Sequence, residues 1–196
     1  MSQAHASGTD GHVFESVAGV SSVLVLGPDG DGVTASGCRQ LLATPSEHAE
    51  HVVGVTYDAD AEFRERIADQ GAADATRTIL TPGECGESGS VECVPAGDGA
   101  RLLSSVRERV RDIEGDPGVV CFDALSPLIA DIGLTRTFRF VHRLMPELRE
   151  RDVTAHFHFD PAANDRQTLD AITTVFDAVV RADGSDWELV WKRHTE

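Results

Sequence analysis

Short, continuous apolar runs alternate with stretches of helical spacing along most of the chain. "SVLVL" (22–26), "HVVGVTY" (51–57), "GVVCFDAL" (118–125) and "VTAHFHF" (153–159) are brief, rich in β-branched or aromatic residues, and read as buried strands. Between the first two, residues 33–43 read as a helix stopped at Thr44-Pro45. "DAEFRERIADQG" (60–71) sets Phe63 and Ile67 on one helical face and has Gly71 as its C-terminal stop. Apolar positions 103, 106, 110 and 113, then 138, 141, 145 and 148, predict two further amphipathic helices, with a kink at Pro146 in the second. "DRQTLDAITTVFD" (165–177) predicts another helix. "AVVRADGSDWELVWK" (178–192) predicts two strands around Asp183-Gly184. The Gly- and Pro-rich middle (78–99) leaves room for two short strands. Strands alternating with helices predict an α/β fold of three layers, a mainly parallel sheet covered on both faces with a C-terminal antiparallel hairpin.

The first strand runs into "GPDGDGVT", residues 27–34. A phosphate-binding loop has the form G-x-x-x-x-G-K-[ST]. Its glycines let backbone N–H groups face phosphate oxygens, its lysine contacts the terminal phosphates, and its Ser or Thr holds Mg²⁺. Gly27, Gly30, Gly32 and Thr34 fit that form, but Val33 stands where the lysine belongs. Asp29 and Asp31 add two carboxylates to a loop that should welcome an anion, at a cost on the order of 1 kcal/mol per close charge pair even in water. The loop reads as a degenerate one. A second feature agrees: the strand at 119–122 ends in Asp123, as does the strand whose acid contacts Mg²⁺ in phosphate-loop enzymes. A helix N-cap is the plainer use of such an aspartate.

Composition narrows the picture. The 196 residues suffice for one domain, expected over 12–196, with residues 1–11 small, polar and disordered. The start lacks the basic and apolar segments of a secretion signal, and no apolar run is long enough to span a membrane, so a cytoplasmic protein is expected. Thirty-three acidic residues against seventeen basic ones give a formal charge of -16, and Lys192 is the only lysine. Such an acidic, lysine-poor chain resembles a halophilic proteome, and it argues against nucleic-acid binding, which needs a basic patch. No C-x-x-C pair occurs among Cys38, Cys85, Cys93 and Cys121. Cys38 and Cys121 read as small buried hydrophobes.

These segments together resemble a RecA-superfamily core of the KaiC-related type, and more closely an uncharacterised haloarchaeal family of KaiC-like (HTR-like) proteins. The residues that carry the resemblance are "VVCFDALSPLI" (119–129), "FRFVHRLMPELRERDVTAHFHFDPAANDRQTLDAITTVFDAVV" (138–180) and "GVTYDADAEFRERIADQG" (54–71), within a match from Val23 to Val180. The resemblance implies a RecA-like sheet and side-by-side self-association. It implies that Asp123 is the Mg²⁺-associated acid and that Asp58 stands where active members carry a water-activating glutamate. It also implies that Lys192 and Arg193 fall near the cations that reach a neighbouring subunit's phosphates.

"AHFHFD" is the remaining candidate. On a strand His156 and His158 share a face, and Asp160 joins them if the strand continues. Two histidines and a carboxylate are ligand types for Zn²⁺, Mn²⁺ or Fe²⁺, and the alternative is a set of hydrogen-bonded interior residues. The leading expectation is a non-catalytic RecA-like regulatory or signalling module. It would act on a protein partner or on itself, with no required cofactor. The alternatives are a slow ATPase using Mg·ATP, and a metal-dependent hydrolase at the HFHFD strand.

Overall fold

The computed structural model describes residues 10–28, 32–46, 48–82, 92–95, 98–113, 115–123, 125–184 and 186–193. Loop residues 29–31, including Gly30, and Cys85 fall outside them.

The apolar runs form the strands β1 (Ser22–Leu26), β2 (His51–Thr56), β3 (Thr76–Thr81), β4 (Glu92–Pro95), β5 (Gly118–Asp123), β6 (Val153–Phe159), β7 (Ala178–Asp183) and β8 (Asp186–Lys192). They make one sheet in the order β4-β3-β2-β5-β6-β1-β7-β8. Every adjacent pair is parallel except β7–β8, the hairpin at the edge. This is the α/β architecture expected from the alternation. Strand β6 is inserted between β1, which leads into the 27–34 loop, and β5, which ends in Asp123.

Seven helices cover the sheet among the described residues: α1 (Asp10–Val17), α2 (Gly32–Ser46), α3 (Ala61–Ala68), α4 (Gly99–Asp112), α5 (Leu125–Ile132), α6 (Leu134–Glu150) and α7 (Arg166–Thr173). Strand alternation divides them between two layers. Val23, Val25, Val119 and Cys121 face α1, α2 and α3, whereas Leu24, Leu26, Val120 and Phe122 face α4 to α7. The second face carries the larger core, in which Phe122 stacks on Phe157 and Phe157 meets Phe176 edge-on.

Several boundaries differ from the sequence reading. A helix occupies 10–17, beginning inside the segment expected to be disordered. Its Val13, Phe14 and Val17 are buried, with Phe14 edge-on to Trp187. Helix α2 runs through Pro45 to Ser46; in a last turn proline forfeits a single backbone hydrogen bond. Pro146, by contrast, lies inside α6, which runs on to Glu150 as the spacing predicts. In α4 it is Leu102 rather than Leu103 that is fully buried with Val106 and Val110. No described helix is long and apolar enough to cross a membrane.

Candidate functional site

Two groups of side chains gather at the carboxyl ends of β1, β2, β5 and β6, one in an open cleft and one beneath it.

The cleft, about 390 Å³, is lined by Thr56, Asp58, Asp60, Glu62, Arg66 and Asp123 among others. Asp123 does not stand free in it. Its Oδ2 accepts a hydrogen bond from the Arg66 guanidinium at 2.8 Å, and the Arg66 side chain is only 7% exposed. Helix α3 delivers this arginine. Asp60 caps its N-terminus by accepting from the Phe63 N–H at 2.7 Å, and the apolar face of Phe63 and Ile67 packs down and carries Arg66 inward. The guanidinium also lies over the Phe63 ring, 4.9 Å from its centre. Asp58 is exposed at the end of β2, where its backbone exchanges hydrogen bonds with the Thr56 hydroxyl.

At the loop, Thr34 is buried and its hydroxyl donates to the Pro28 carbonyl at 3.3 Å. A Cβ at Gly27 would crowd the Thr34 hydroxyl, so a larger residue there would have to displace it. Gly32 opens α2. Lys192 and Arg193 lie at the other end of the sheet, since Lys192 pairs with Ala178 at the start of β7. Lys192 Nζ donates to the Ser16 carbonyl at 2.5 Å, and Arg193 donates to the Thr174 carbonyl at 3.2 Å. Within one chain, both therefore lie away from the described ends of the loop, Gly27 and Thr34.

The second group lies between α2 and the sheet. His156 and His158 both point to the α2 face of β6, as the alternation requires, but Asp160 does not complete the set. Its Oδ1 accepts from the Ala162 N–H at 2.7 Å in the turn after the strand. The histidines instead meet Cys121, which sits beside His156 in the β5–β6 register, and Cys38 from α2. Cys38 Sγ is 3.3 Å from Cys121 Sγ and 3.0 Å from His156 Nε2. One ligand atom from each of the four residues lies within 4.8 Å of every other. Exposure is 0% for both cysteines and 3% for both histidines.

The electrostatics of this group are coupled. Burial raises the Cys38 thiol, but the hydrogen bond with Cys121 and the His156 imidazole outweigh it, so Cys38 titrates well below an ordinary thiol. Burial, and then the contact with Cys38, hold Cys121 well above. The pair therefore releases one proton readily and the second reluctantly. At His158 burial pushes the pKa down, yet the Asp123 carboxylate and Cys38 bring it above the usual imidazole value. Neither His158 nitrogen has a hydrogen-bond partner, and Asp123 Oδ1 stands 3.9 Å from Nδ1.

Arg66, Cys38 and Cys121 were not singled out by spacing. The available signals were an arginine on the Phe63/Ile67 face and two i, i+2 pairs, Cys121/Asp123 and His156/His158, on strands that prove to be neighbours.

Comparison with solved structures agrees with the fold. The chain is similar to a protein of Pyrococcus horikoshii OT3, PH0250, at 14% identity and a TM-score of 0.58, covering 95% of this chain and 94% of that one. It is also similar to the flagellar accessory protein FlaH from Methanocaldococcus jannaschii, at 17% identity and a TM-score of 0.52, covering 88% and 79%. At these identities the likeness concerns the fold, which is RecA-like. A search of curated proteins returned no match. Residues 20–182 match the model of a family of unknown function, DUF7504, and the chain belongs to that family.

Proposed function

We propose that this chain is a non-catalytic, KaiC-like member of the RecA-fold proteins, a regulatory or signalling module that works through protein–protein contacts. The observation that carries the reading is the ion pair between Arg66 and Asp123. A Mg²⁺-associated acid must offer its carboxylate to the metal or to metal-bound water, and here a buried guanidinium occupies it at 2.8 Å. The rest of the cleft points the same way. Val33 replaces the cation of the loop, the Thr34 hydroxyl is spent on Pro28, and Asp58, Asp60, Glu62 and Asp123 line the cleft, where Arg66 pairs with Asp123 and Arg39 with Glu62 at 3.8 Å. Like charges in one cleft oppose triphosphate binding.

The acidic, lysine-poor composition fits a haloarchaeal, cytoplasmic setting, and a disabled loop on a retained fold fits a protein whose output is contact. Strand β8 supports that output. It ends the sheet, and it carries Val190 and Trp191, the two large apolar residues exposed among the described ones, each at 41%. RecA-like cores assemble side by side, so a second copy or a partner protein at this edge is the expected ligand.

Titration calorimetry with Mg·ATP, in strong KCl, tests the reading. No heat up to millimolar nucleotide, from protein shown by circular dichroism to be folded, is the expected result. Micromolar binding that disappears in Asp123→Ala would replace this reading with that of a slow ATPase.

A further inference from the structure

We propose that Cys38, Cys121, His156 and His158 form a closed, mononuclear Zn²⁺ site that fastens α2 to the centre of the sheet. Two sulfurs and two imidazole nitrogens are the donor set of structural zinc sites. Zn–S bonds of about 2.3 Å and Zn–N bonds of about 2.0 Å put tetrahedral S···S and S···N edges near 3.8 and 3.5 Å. The 3.3 Å between the sulfurs and the 3.0 Å from Cys38 Sγ to His156 Nε2 are within about half an ångström of those edges. One small cation therefore fits with side-chain adjustment alone. Ligands this close exclude a cluster that would separate the cysteine pair from the histidine pair.

His158 supplies an independent reason. A 3%-exposed imidazole with no hydrogen bond on either nitrogen carries the desolvation cost of an orphaned polar group. A metal on Nε2 removes that cost. It leaves Nδ1–H facing Asp123 Oδ1, the carboxylate–histidine–metal arrangement that orients ligands in metal sites. Asp123 would then serve as an outer carboxylate, held by Arg66 on one oxygen and turned to His158 with the other.

The charge balance suits the burial. Zn²⁺ binds two thiols and two neutral imidazoles, two protons leave the cysteines, and the product Zn(Cys)₂(His)₂ is neutral. A neutral complex avoids the cost of an uncompensated charge in the interior. All four positions are taken by buried protein ligands, which leaves none for water. The site is structural and does not support hydrolysis at the HFHFD strand.

The test is titration of untagged, reduced, metal-free full-length protein with Co²⁺, followed by Zn²⁺. The expected result is one equivalent of tetrahedral Co²⁺ with thiolate charge-transfer absorption, displaced by one equivalent of Zn²⁺, with a rise in Tm on zinc addition. Cys38→Ser and Cys121→Ser should each weaken the charge-transfer band, and Asp160→Asn should leave it unchanged. The wild-type titration stands alone if either cysteine variant fails to fold. Four results would overturn the proposal: no stoichiometric uptake by folded wild-type protein; an octahedral cobalt spectrum without charge transfer; a band unaffected by both cysteine changes; or a Cys38–Cys121 disulfide in protein isolated without oxygen.

Discussion

Asp123 and Arg66 hold each other across the cleft at 2.8 Å, and the two are unequally buried, 28% exposed for the carboxylate and 7% for the guanidinium. Removing one partner from a buried pair is destabilising chiefly through the charge left behind. Arg66 has further to go for compensation, because its Nε already lacks a partner. Asp123→Ala should therefore cost about 3–4 kcal/mol, and Arg66→Met, which strands only a half-hydrated carboxylate, about 1–2 kcal/mol. Urea denaturation of both variants checks the order. Equal costs, or a larger cost for Arg66→Met, would show that the pair is not the charge-compensating contact described here.

Gly37 lies where α2 crosses the hairpin, and a Cβ there would meet the Trp187 ring at 2.2 Å. A contact that short cannot be absorbed without moving the indole, which is buried against Phe14 of α1. Gly37→Ala gains helix propensity, worth about 1 kcal/mol, but overpacking typically costs 1–3 kcal/mol. The net expectation is a lower Tm together with a red-shifted tryptophan emission as Trp187 becomes wetter. An unchanged spectrum with a raised Tm would contradict the close approach.

The strands were legible because each buried one is a short apolar run, and the helices with a wide apolar stripe followed from spacing. Asp123 was legible as a strand-end acid. Its partner was not, since Arg66 comes from a helix 57 residues earlier, and periodicity says only which face a residue occupies, not what it meets. The metal-ligand group was hidden for the same reason. His156 and His158 are visible as an i, i+2 pair, but Cys38 lies 118 residues from His156 and 83 from Cys121. Only the strand order, with β6 between β1 and β5, brings them together. Asp160 follows the histidines in the chain, but the turn after β6 draws it away. Helix α1 was missed because its eight residues, "DGHVFESV", hold only three core-facing apolar side chains in a polar segment.

Glu147 joins α6 to α4 by accepting from Arg107 and from Arg111, the latter at 3.2 Å. Its hydrogen bond from Arg107 comes first among the causes that hold its carboxyl below the usual glutamate range. A carboxylate whose pKa is lowered by folding adds stability above its unfolded pKa, and that stability is lost as pH falls through the folded value. Glu147→Gln should thus be less stable than wild type by about 1 kcal/mol at neutral pH in low salt. The difference should shrink toward zero as the pH drops below about 4, the ordinary glutamate range. Thermal melts of both proteins from pH 7 to pH 3 read this directly. A gap that persists in acid would assign the effect to packing rather than to charge.

Strand β8 leaves Val190 and Trp191 exposed at the end of the sheet, and the β7–β8 register shifts at this point: Val179 faces Trp191 while Val180 faces Leu189. The bulge turns Val190 out of the ladder, and the Arg193 guanidinium lies 5.7 Å from the Trp191 ring. An edge strand with apolar side chains invites pairing unless charge or irregularity blunts it, and β8 carries Asp186, Glu188 and Lys192 as well as the register shift. Strong salt screens the repulsion between chains of charge -16 and leaves apolar contact intact. Sedimentation in strong KCl should therefore show self-association, weaker at low ionic strength and weakened several-fold by Trp191→Ser with Val190→Thr. Trp187 is buried and unaltered in that variant, so its fold should persist. Monomers at all salt concentrations would move the contact surface away from β8 and leave a partner protein, rather than a second copy, as the ligand of the fold.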